Sequence, residues 1–317
     1  MKPKILIIGA SGFIGAGVLD YLIRDNYQVM GLGRKDNPWR IHSSLKEHYQ
    51  SLKDDDVTVI LNKVQPEVII NFAANGAYSF QNDFAMIVNS NLILLDKIAN
   101  WSMNNGCYLI NAGTSSEYGN NSPRPKEDSL TKPNSLYAIT KVAGTNLLEF
   151  YASQGLQSVV LRLYSVYGPK EDSSRLMPAV LRGIIKGEWP SFTDPEISRD
   201  FIYLDDICKL LVKLVQQKEN SSKGTFGIYN VGTGVKTTIR DLTNILEREF
   251  GMPKREENSF PKRKWDVKDW YANIDKVIHE VDWQPNVDLK SGLNMMRDWY
   301  LLEDNVKYLN NEYSENK

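Results

Sequence analysis

Short apolar runs alternate with stretches of helical periodicity along the first part of the chain. Each run has the length of a buried strand, and each periodic stretch repeats its apolar residues three to four positions apart, as one face of a helix requires. Strands that alternate with helices predict βαβ units and a parallel sheet. The predicted strands span 4–8, 28–32, 57–61, 68–72 and 108–112, and the predicted helices span 13–24 and 83–104.

The pattern changes after a polar break at 128–134. A helix is predicted at 137–153 and a strand at 158–163, and beyond Gly168 and Pro169 the sequence becomes irregular and richer in proline and tryptophan. We therefore predict an α/β fold, a Rossmann-type doubly wound parallel sheet, in two parts. A dinucleotide-binding domain spans 1–168 and takes back a strand near 226–231, and a smaller C-terminal α/β substrate lobe spans 169–317.

The composition is that of a globular protein. Of the 317 residues, 42% are hydrophobic and 24% are charged, which excludes a disordered or collagen-like chain. The net charge of −1 gives neither the basic field that nucleic acid requires nor a cationic face for a membrane. No run approaches the roughly 18–20 apolar residues that span a bilayer.

The cysteines and histidines are few. Cys107 and Cys208 lie far apart in the sequence, which predicts free thiols and a reducing, cytoplasmic location. His42, His48 and His279 are scattered, so we expect no metal site.

A glycine-rich turn joins the first predicted strand to the first predicted helix. Its three glycines follow the spacing Gly-x-x-Gly-x-x-Gly. Glycine allows a tight turn and a close approach of the backbone to a pyrophosphate, and the following helix presents free N–H groups to the phosphates. The sequence therefore predicts a dinucleotide site whose contacts are Gly9, Ser11, Gly12, Phe13, Ile14 and Gly15.

The end of the second predicted strand bears on the choice of dinucleotide. An acidic residue at this position binds the ribose 2′-hydroxyl of NAD. Here the position holds Gly33, followed by Arg34 and Lys35. A cationic pair suits a 2′-phosphate, and Arg34 can also stack on adenine. We therefore predict NADP(H) in preference to NAD, although Asp36 argues mildly for NAD.

A tyrosine and a lysine lie four residues apart on one face of a predicted helix. A lysine ammonium favours tyrosinate, so Lys141 is expected to lower the pKa of Tyr137 and make it an acid or base near neutral pH. Thr114 follows the strand predicted at 108–112 and should point into the ligand crevice. There it can hydrogen-bond the oxygen that Tyr137 protonates.

These features resemble the extended short-chain dehydrogenase/reductases, and more narrowly their nucleotide-sugar epimerases, dehydratases and 4-keto-reductases. The resemblance covers nearly the whole chain. It implies that Thr114, Tyr137 and Lys141 form the catalytic triad and that Lys141 also holds the nicotinamide ribose. It implies cofactor contacts around Ala73 and Ala74. The motifs that carry it are the glycine turn at 9–15, the segment 71–74, Thr114, 118–119, the Tyr137/Lys141 pair, 167–169, 199–206, 271–276 and 283–285.

The same resemblance suggests how a substrate binds. Arg199 and Arg263 match positions where the family often has arginines beside the nucleotide diphosphate. Ser115 and Ser116 stand where the dehydratases have an Asp-Glu pair, and serine cannot replace a carboxyl group in acid–base chemistry near neutral pH. Both serines are expected beside the substrate, and dehydration is not expected. Ser165 replaces an asparagine that many family members use to contact ligand.

We expect an enzyme that reduces the 4-keto group of a nucleoside diphosphate (deoxy)hexose with NADPH, with Tyr137 as the proton donor. The alternative is a nucleotide-sugar 4-epimerase that oxidises C4 transiently with the same triad. A third interpretation is a non-enzymatic NADP-sensing protein, which does not need the Tyr137/Lys141 pair that is present here. By analogy with the family, the helices predicted at 83–104 and 137–153 are expected to form a four-helix bundle across a homodimer.

Overall fold

A computed structural model describes residues 2–52, 56–78, 80–192, 194–218, 224–254, 268–302 and 305–309. Its centre is a seven-stranded sheet in which every pair of neighbouring strands is parallel. The strands are β1 (Ile5–Ile8), β2 (Val29–Gly33), β3 (Tyr49–Ser51), β4 (Val68–Asn71), β5 (Tyr108–Thr114), β6 (Ser158–Leu163), β7 (Ser165–Tyr167), β8 (Ser198–Arg199), β9 (Phe201–Tyr203), β10 (Phe226–Val231) and β11 (Thr237–Thr238).

Helices cover both faces of this sheet, which confirms the predicted doubly wound α/β fold. A π-helical turn, Asn89–Ile93, joins α3 to α4. The helices are α1 (Phe13–Arg24), α2 (Val57–Val64), α3 (Phe84–Val88), α4 (Leu94–Asn105), α5 (Leu136–Ser153), α6 (Leu176–Lys186), α7 (Leu204–Gln217), α8 (Ile239–Phe250), α9 (Asp275–Val281) and α10 (Leu289–Leu301), with short 3₁₀ turns at Ser43–His48, Ser115–Glu117 and Val306–Leu309.

The core forms because the central strands are largely apolar. All four residues of β1 are buried, as expected for a strand with helices on both faces. On one face, Leu19 of α1 and Leu211 of α7 belong to the same buried cluster. On the other face, Leu61 of α2 and Ile98 of α4 belong to a second cluster. The apolar stripes predicted from the sequence are therefore the faces that pack on the sheet.

The strand predicted at 57–61 is wrong, because this segment begins helix α2. Its buried residues Val57, Ile60, Leu61 and Val64 follow a helical spacing, and Asp56 caps the helix by accepting the N–H of Thr58 at 2.9 Å. The sequence analysis also missed the short edge strand β3, which pairs with β2.

A third buried cluster forms a smaller unit from the second half of the chain. It contains Val180 of α6, Leu242 of α8 and Met296 of α10. Two small two-stranded sheets, β11–β8 and β7–β9, lie beside it. Strand β10 returns to the large sheet beside β6, at the residues predicted. Helix α7 lies within 169–317, but its buried residues belong to the cluster that packs on the large sheet. The division into 1–168 and 169–317 stays a prediction.

The order of the strands defines where a ligand can bind. The strand order in the sheet is β10-β6-β5-β4-β1-β2-β3. Strands β2 and β3 are added on one side of β1 and strand β4 on the other, so a topological switch point lies between β1 and β4. In open parallel sheets the ligand crevice lies outside the carboxyl ends of the strands at such a switch point. The glycine turn follows β1, and Ala73 and Ala74 follow β4.

Candidate functional site

The glycine turn has a backbone that only glycine permits. Gly9 has a φ of +85°, and a Cβ on it would lie 2.6 Å from the Ala73 nitrogen. A Cβ on Gly15 would collide with the Gly9 carbonyl oxygen, so the first turn of α1 lies directly against the backbone of the glycine turn. Gly12 is the N-cap of α1 and has no side chain to occupy the N–H groups of the first turn. These residues fit a dinucleotide diphosphate, which this cradle would hold by N–H groups and the positive end of the helix dipole.

A cleft of about 560 Å³ brings most of the predicted site residues together. Ser11, Arg34 and Ala73 lie outside its lining, and Arg263 falls outside the residues that the structure describes. The predicted residues that line the cleft are Gly9, Gly12, Phe13, Ile14, Gly15, Ala74, Thr114, Ser115, Ser116, Tyr137, Lys141 and Arg199.

The end of β2 has no room for an acidic side chain. A Cβ on Gly33 would lie 2.6 Å from the Tyr49 hydroxyl and 2.7 Å from Ser11 Oγ. The Tyr49 hydroxyl donates to the Lys35 carbonyl at 2.6 Å. The missing acid at position 33 therefore has a packing cause, and it carries less weight for NADP than the sequence suggested. Arg34 itself is exposed.

The three residues that the sequence predicts as the catalytic triad lie at the carboxyl edge of the sheet. Thr114 is the last residue of β5, and Tyr137 and Lys141 lie one turn apart near the start of α5. Ser135 caps this helix by accepting the N–H of Ala138 at 3.2 Å. The Lys141 ammonium donates to the Ala112 carbonyl at 2.9 Å, which anchors it beside β5.

The expected lowering of the Tyr137 pKa is wrong for this structure. Burial raises the pKa of Tyr137 to about 12, although the hydrogen bond with Thr114 acts in the opposite direction. Burial also lowers the pKa of Lys141 to about 8. The ammonium lies 5.9 Å from the centre of the Tyr137 ring and is bound to Ala112, so it does not offset the burial of the phenol. Tyr137 is therefore protonated at neutral pH and has a proton to donate.

A buried ion pair holds Thr114 in place. Glu117 accepts the Thr114 N–H at 3.0 Å, the Thr145 hydroxyl at 2.9 Å and the Arg162 Nε at 2.9 Å. Thr114 in turn accepts the Ser116 N–H at 3.2 Å, which completes a capping box. The sequence analysis missed this pair, although Thr-x-x-Glu at 114–117 is the signature of such a box.

Buried asparagines fix the loop after β4. The Asn71 side chain donates to Asn111 at 2.8 Å and accepts the Ala73 N–H at 3.1 Å. Asn91, in the π-helical turn, bonds both backbone groups of Asn75 at 2.9 Å. A π turn in a helix often marks a functional position. Here it orders the segment that contains Ala73 and Ala74.

One side of the cleft carries two arginines, each near an aromatic ring. Arg199 lies 5.8 Å from the Trp270 ring and donates to the Ser198 carbonyl at 2.7 Å. Arg175, which the sequence analysis did not single out, lies 4.3 Å from the Tyr78 ring. All four side chains line the cleft. This side can therefore bind an anionic group beside aromatic surfaces.

Two features are absent from the residues that the structure describes. No described helix is long and apolar enough to cross a membrane. Within the same part of the chain, no three His, Cys, Asp or Glu side chains form a group that could hold a metal ion.

Comparison with known proteins agrees with the geometry of the site. The model of the NAD dependent epimerase/dehydratase family matches residues 5–232. UDP-glucuronate 4-epimerase 5 of Arabidopsis thaliana is 32% identical, over 94% of this chain and 75% of its own length.

Solved structures give the same result. UDP-glucose 4-epimerase of Thermotoga maritima, solved with UDP-glucose, is 27% identical with a TM-score of 0.80, over 94% of this chain and 98% of that chain. UDP-glucuronic acid 4-epimerase of Bacillus cereus, solved with UDP-glucuronic acid and NAD, is 26% identical with a TM-score of 0.80, over 97% and 100%. The chain belongs to the NAD dependent epimerase/dehydratase family, within the extended short-chain dehydrogenase/reductases that its motifs predicted.

Proposed function

We propose that the protein is a nucleotide-sugar 4-epimerase. The observation that carries the proposal is one cleft lined by both the glycine turn and the triad Thr114, Tyr137 and Lys141. Relatives named as 4-epimerases support this alternative over the 4-keto-reductase that the sequence alone favoured. A non-enzymatic NADP sensor has no support from these relatives.

The triad can move one proton to and from the sugar oxygen at C4. In the oxidative half-reaction the tyrosinate form of Tyr137, which the positive charge of a bound oxidised nicotinamide would favour, accepts the proton of the C4 hydroxyl. The resulting phenol returns that proton to the keto oxygen in the reductive half-reaction. Thr114 hydrogen-bonds the same oxygen and orients it. Lys141, anchored on Ala112, holds the nicotinamide ribose. The dinucleotide, when bound, would supply the hydride acceptor and donor at C4. Inversion requires the keto sugar to present its other face before Tyr137 returns the proton.

The neighbouring groups suit epimerisation better than dehydration. Ser115 and Ser116 line the cleft directly after Thr114, where they can hydrogen-bond sugar hydroxyls. Neither is ionised near neutral pH, so neither serves as the acid or base that an elimination requires. Arg199 is assigned to the nucleotide diphosphate, and Arg263 remains a proposal from the family pattern.

We further propose NAD as the cofactor, in place of the NADP predicted from Arg34. The Bacillus cereus relative was solved with NAD, which supports this choice. The hydroxyls of Tyr49 and Ser11 stand where an acid at position 33 would project, so they are assigned to the adenosine ribose. Mass spectrometry of cofactor extracted from the purified protein tests this directly. Bound NADP, together with loss of its binding in Arg34→Ala, would return the assignment to NADP.

The activity is tested by incubating the purified protein with UDP-glucose, UDP-glucuronate or UDP-N-acetylglucosamine, without added cofactor. We expect one of them to give its C4 epimer, seen by chromatography and NMR, with no net change in nicotinamide absorbance. Tyr137→Phe should lower turnover at least about a hundredfold, as loss of an acid–base group does. Tyr151→Phe is the matched control, because Tyr151 lies farther along the same helix, outside the cleft lining, and its hydroxyl donates to Asp96 of α4. Stoichiometric oxidation of NADPH by a 4-keto sugar, without epimer formation, would establish the reductase instead.

A further inference from the structure

A buried acid in the cleft has no part in this mechanism. Glu171 lies between β7 and α6, lines the same cleft as Tyr137 and is 9% exposed. Within the described part of the chain, its buried Oε2 atom has no hydrogen-bond partner. Buried polar atoms are nearly always satisfied, and one that borders a ligand cleft is most simply satisfied by the ligand.

Charged and phenolic groups from several elements face Glu171. Arg175 and Arg40 favour its ionised form, and Asp172 opposes it. Tyr167 and Tyr300 also lie within electrostatic reach of this carboxyl. Burial outweighs the two arginines and raises the pKa of Glu171 to about 8. At neutral pH the group is therefore a carboxylic acid with an O–H to donate.

The position of Glu171 points to the phosphate side of the cleft. Its backbone N–H donates to the Gly168 carbonyl at 3.3 Å. A Cβ on Gly168 would lie 3.7 Å from Phe13 Cζ, in the first turn of α1. Phe13 follows Gly12 in the cradle that fits a diphosphate. The segment that carries Glu171 thus lies near the first turn of α1, and its carboxyl interacts electrostatically with Arg175, a cation of the same cleft that suits a phosphate oxygen.

We propose that Glu171, as a neutral acid, donates a hydrogen bond to a diphosphate oxygen of the ligand in this cleft. An ionised oxygen is a strong acceptor for such a donor, whereas a carboxylate in the same place would repel it. The dinucleotide and the nucleotide sugar both carry a diphosphate, so this chemistry is common to the two. The inference rests on the proposed function only in that both ligands enter this cleft.

The experiment measures binding at pH 6.5 and pH 9.0 in two arms. UDP-glucose is titrated into the NAD-loaded protein by calorimetry, and the retention of bound NAD is followed during dialysis. Glu171 can donate this hydrogen bond only when it is protonated, and with a pKa of about 8 only about a tenth of it is protonated at pH 9.0. One ligand should therefore bind about tenfold more weakly at pH 9.0 than at pH 6.5. The arm that changes identifies which diphosphate Glu171 meets.

Variants distinguish the titration of Glu171 from that of Lys141, whose pKa of about 8 lies in the same range. Glu171→Gln keeps a neutral donor, so it should bind as tightly as wild type at pH 6.5 and lose the tenfold difference that Glu171 causes. Glu171→Ala should bind weakly at both pH values. Glu280→Gln removes an exposed carboxylate that bonds Tyr229 and should behave as wild type.

Two results would overturn the proposal. One is an equal pH dependence in wild type and Glu171→Gln for both ligands. The other is a folded Glu171→Ala that binds both ligands as tightly as wild type at pH 6.5. If Glu171→Ala does not fold, the Glu171→Gln comparison decides. Absence of epimerase activity on every sugar would refute the proposed function and leave the NAD arm able to test Glu171.

Discussion

Replacing Arg162 by methionine tests whether the buried ion pair beneath Thr114 stabilises the protein. The Arg162 Nε lies 2.9 Å from Glu117 Oε2, with the two side chains 5% and 0% exposed. Arg162 also donates to the Tyr118 hydroxyl at 2.8 Å and to the Glu127 carbonyl at 3.0 Å. Methionine has a similar length and is apolar, so Arg162→Met removes the charge and these hydrogen bonds while keeping much of the volume.

The magnitude follows from the separation and the burial. At 2.9 Å and an effective dielectric constant of about 20, two unit charges attract by about 6 kcal/mol. The cost of desolvating both ions offsets part of this attraction. Removing one partner leaves the other buried and unpaired, which typically costs about 3–5 kcal/mol. We therefore expect Arg162→Met to lower the free energy of unfolding by about 3–5 kcal/mol.

Urea unfolding at pH 7 measures this difference, with Arg24→Met as the matched control. Arg24 pairs with Asp20 at 2.7 Å on the exposed face of α1, and such pairs contribute only about 0.3–0.5 kcal/mol. Adding Glu117→Gln to Arg162→Met should recover part of the loss, because no unpaired charge remains. An Arg162→Met variant that is destabilised no more than Arg24→Met would refute the reasoning.

Three further predictions follow from the structure. Gly15→Ala should retain NAD at least about tenfold less well in dialysis, because its Cβ collides with the Gly9 carbonyl. Burial raises the pKa of Glu171 from 4.5 to about 8, so its stabilising contribution is complete below pH 4.5 and is lost as the pH rises through 8. In urea unfolding, Glu171→Gln should therefore be more stable than wild type by as much as about 4 kcal/mol at pH 8. The two proteins should be equally stable at pH 4.5. The proposed homodimer should dissociate in Ile139→Glu with Phe150→Glu, measured by light scattering, because both apolar side chains are exposed on α5.

The glycine turn and the helices and strands around the site could be predicted because the sequence patterns that indicate them are local. The helix predicted at 13–24 and the strands at 158–163 and 226–231 match α1, β6 and β10. Glycines with a required geometry and apolar residues at a fixed period act within a few residues of each other. Family motifs then connected distant residues, so the sequence alone predicted that Thr114, Tyr137 and Lys141 form a triad.

The expectations that the structure changed depend on capping, on burial or on residues distant in the sequence. The run at 57–61 is apolar enough for a strand, but a cap at Asp56 and a helical burial pattern make it α2. Arg34 favoured NADP in the sequence, which does not show that Tyr49 of β3 lies beside Gly33, and the choice between NAD and NADP stays a proposal. The pKa of Tyr137 was expected to fall, but burial raises it. The sequence does not show this burial, because it depends on the whole cleft.

The sequence by itself determined the class of fold and the glycine turn, since these depend on residue type and short spacing, and the family resemblance predicted the triad. Only the tertiary structure decided the electrostatics of the site. Glu117 and Arg162 lie 45 residues apart and meet beneath Thr114. Within the described residues, Glu171 Oε2 is buried without a hydrogen-bond partner, and residues as distant as Arg40 act on its charge. Burial and the distances between charges arise from packing across the chain, and these two quantities set the protonation states on which the chemistry depends.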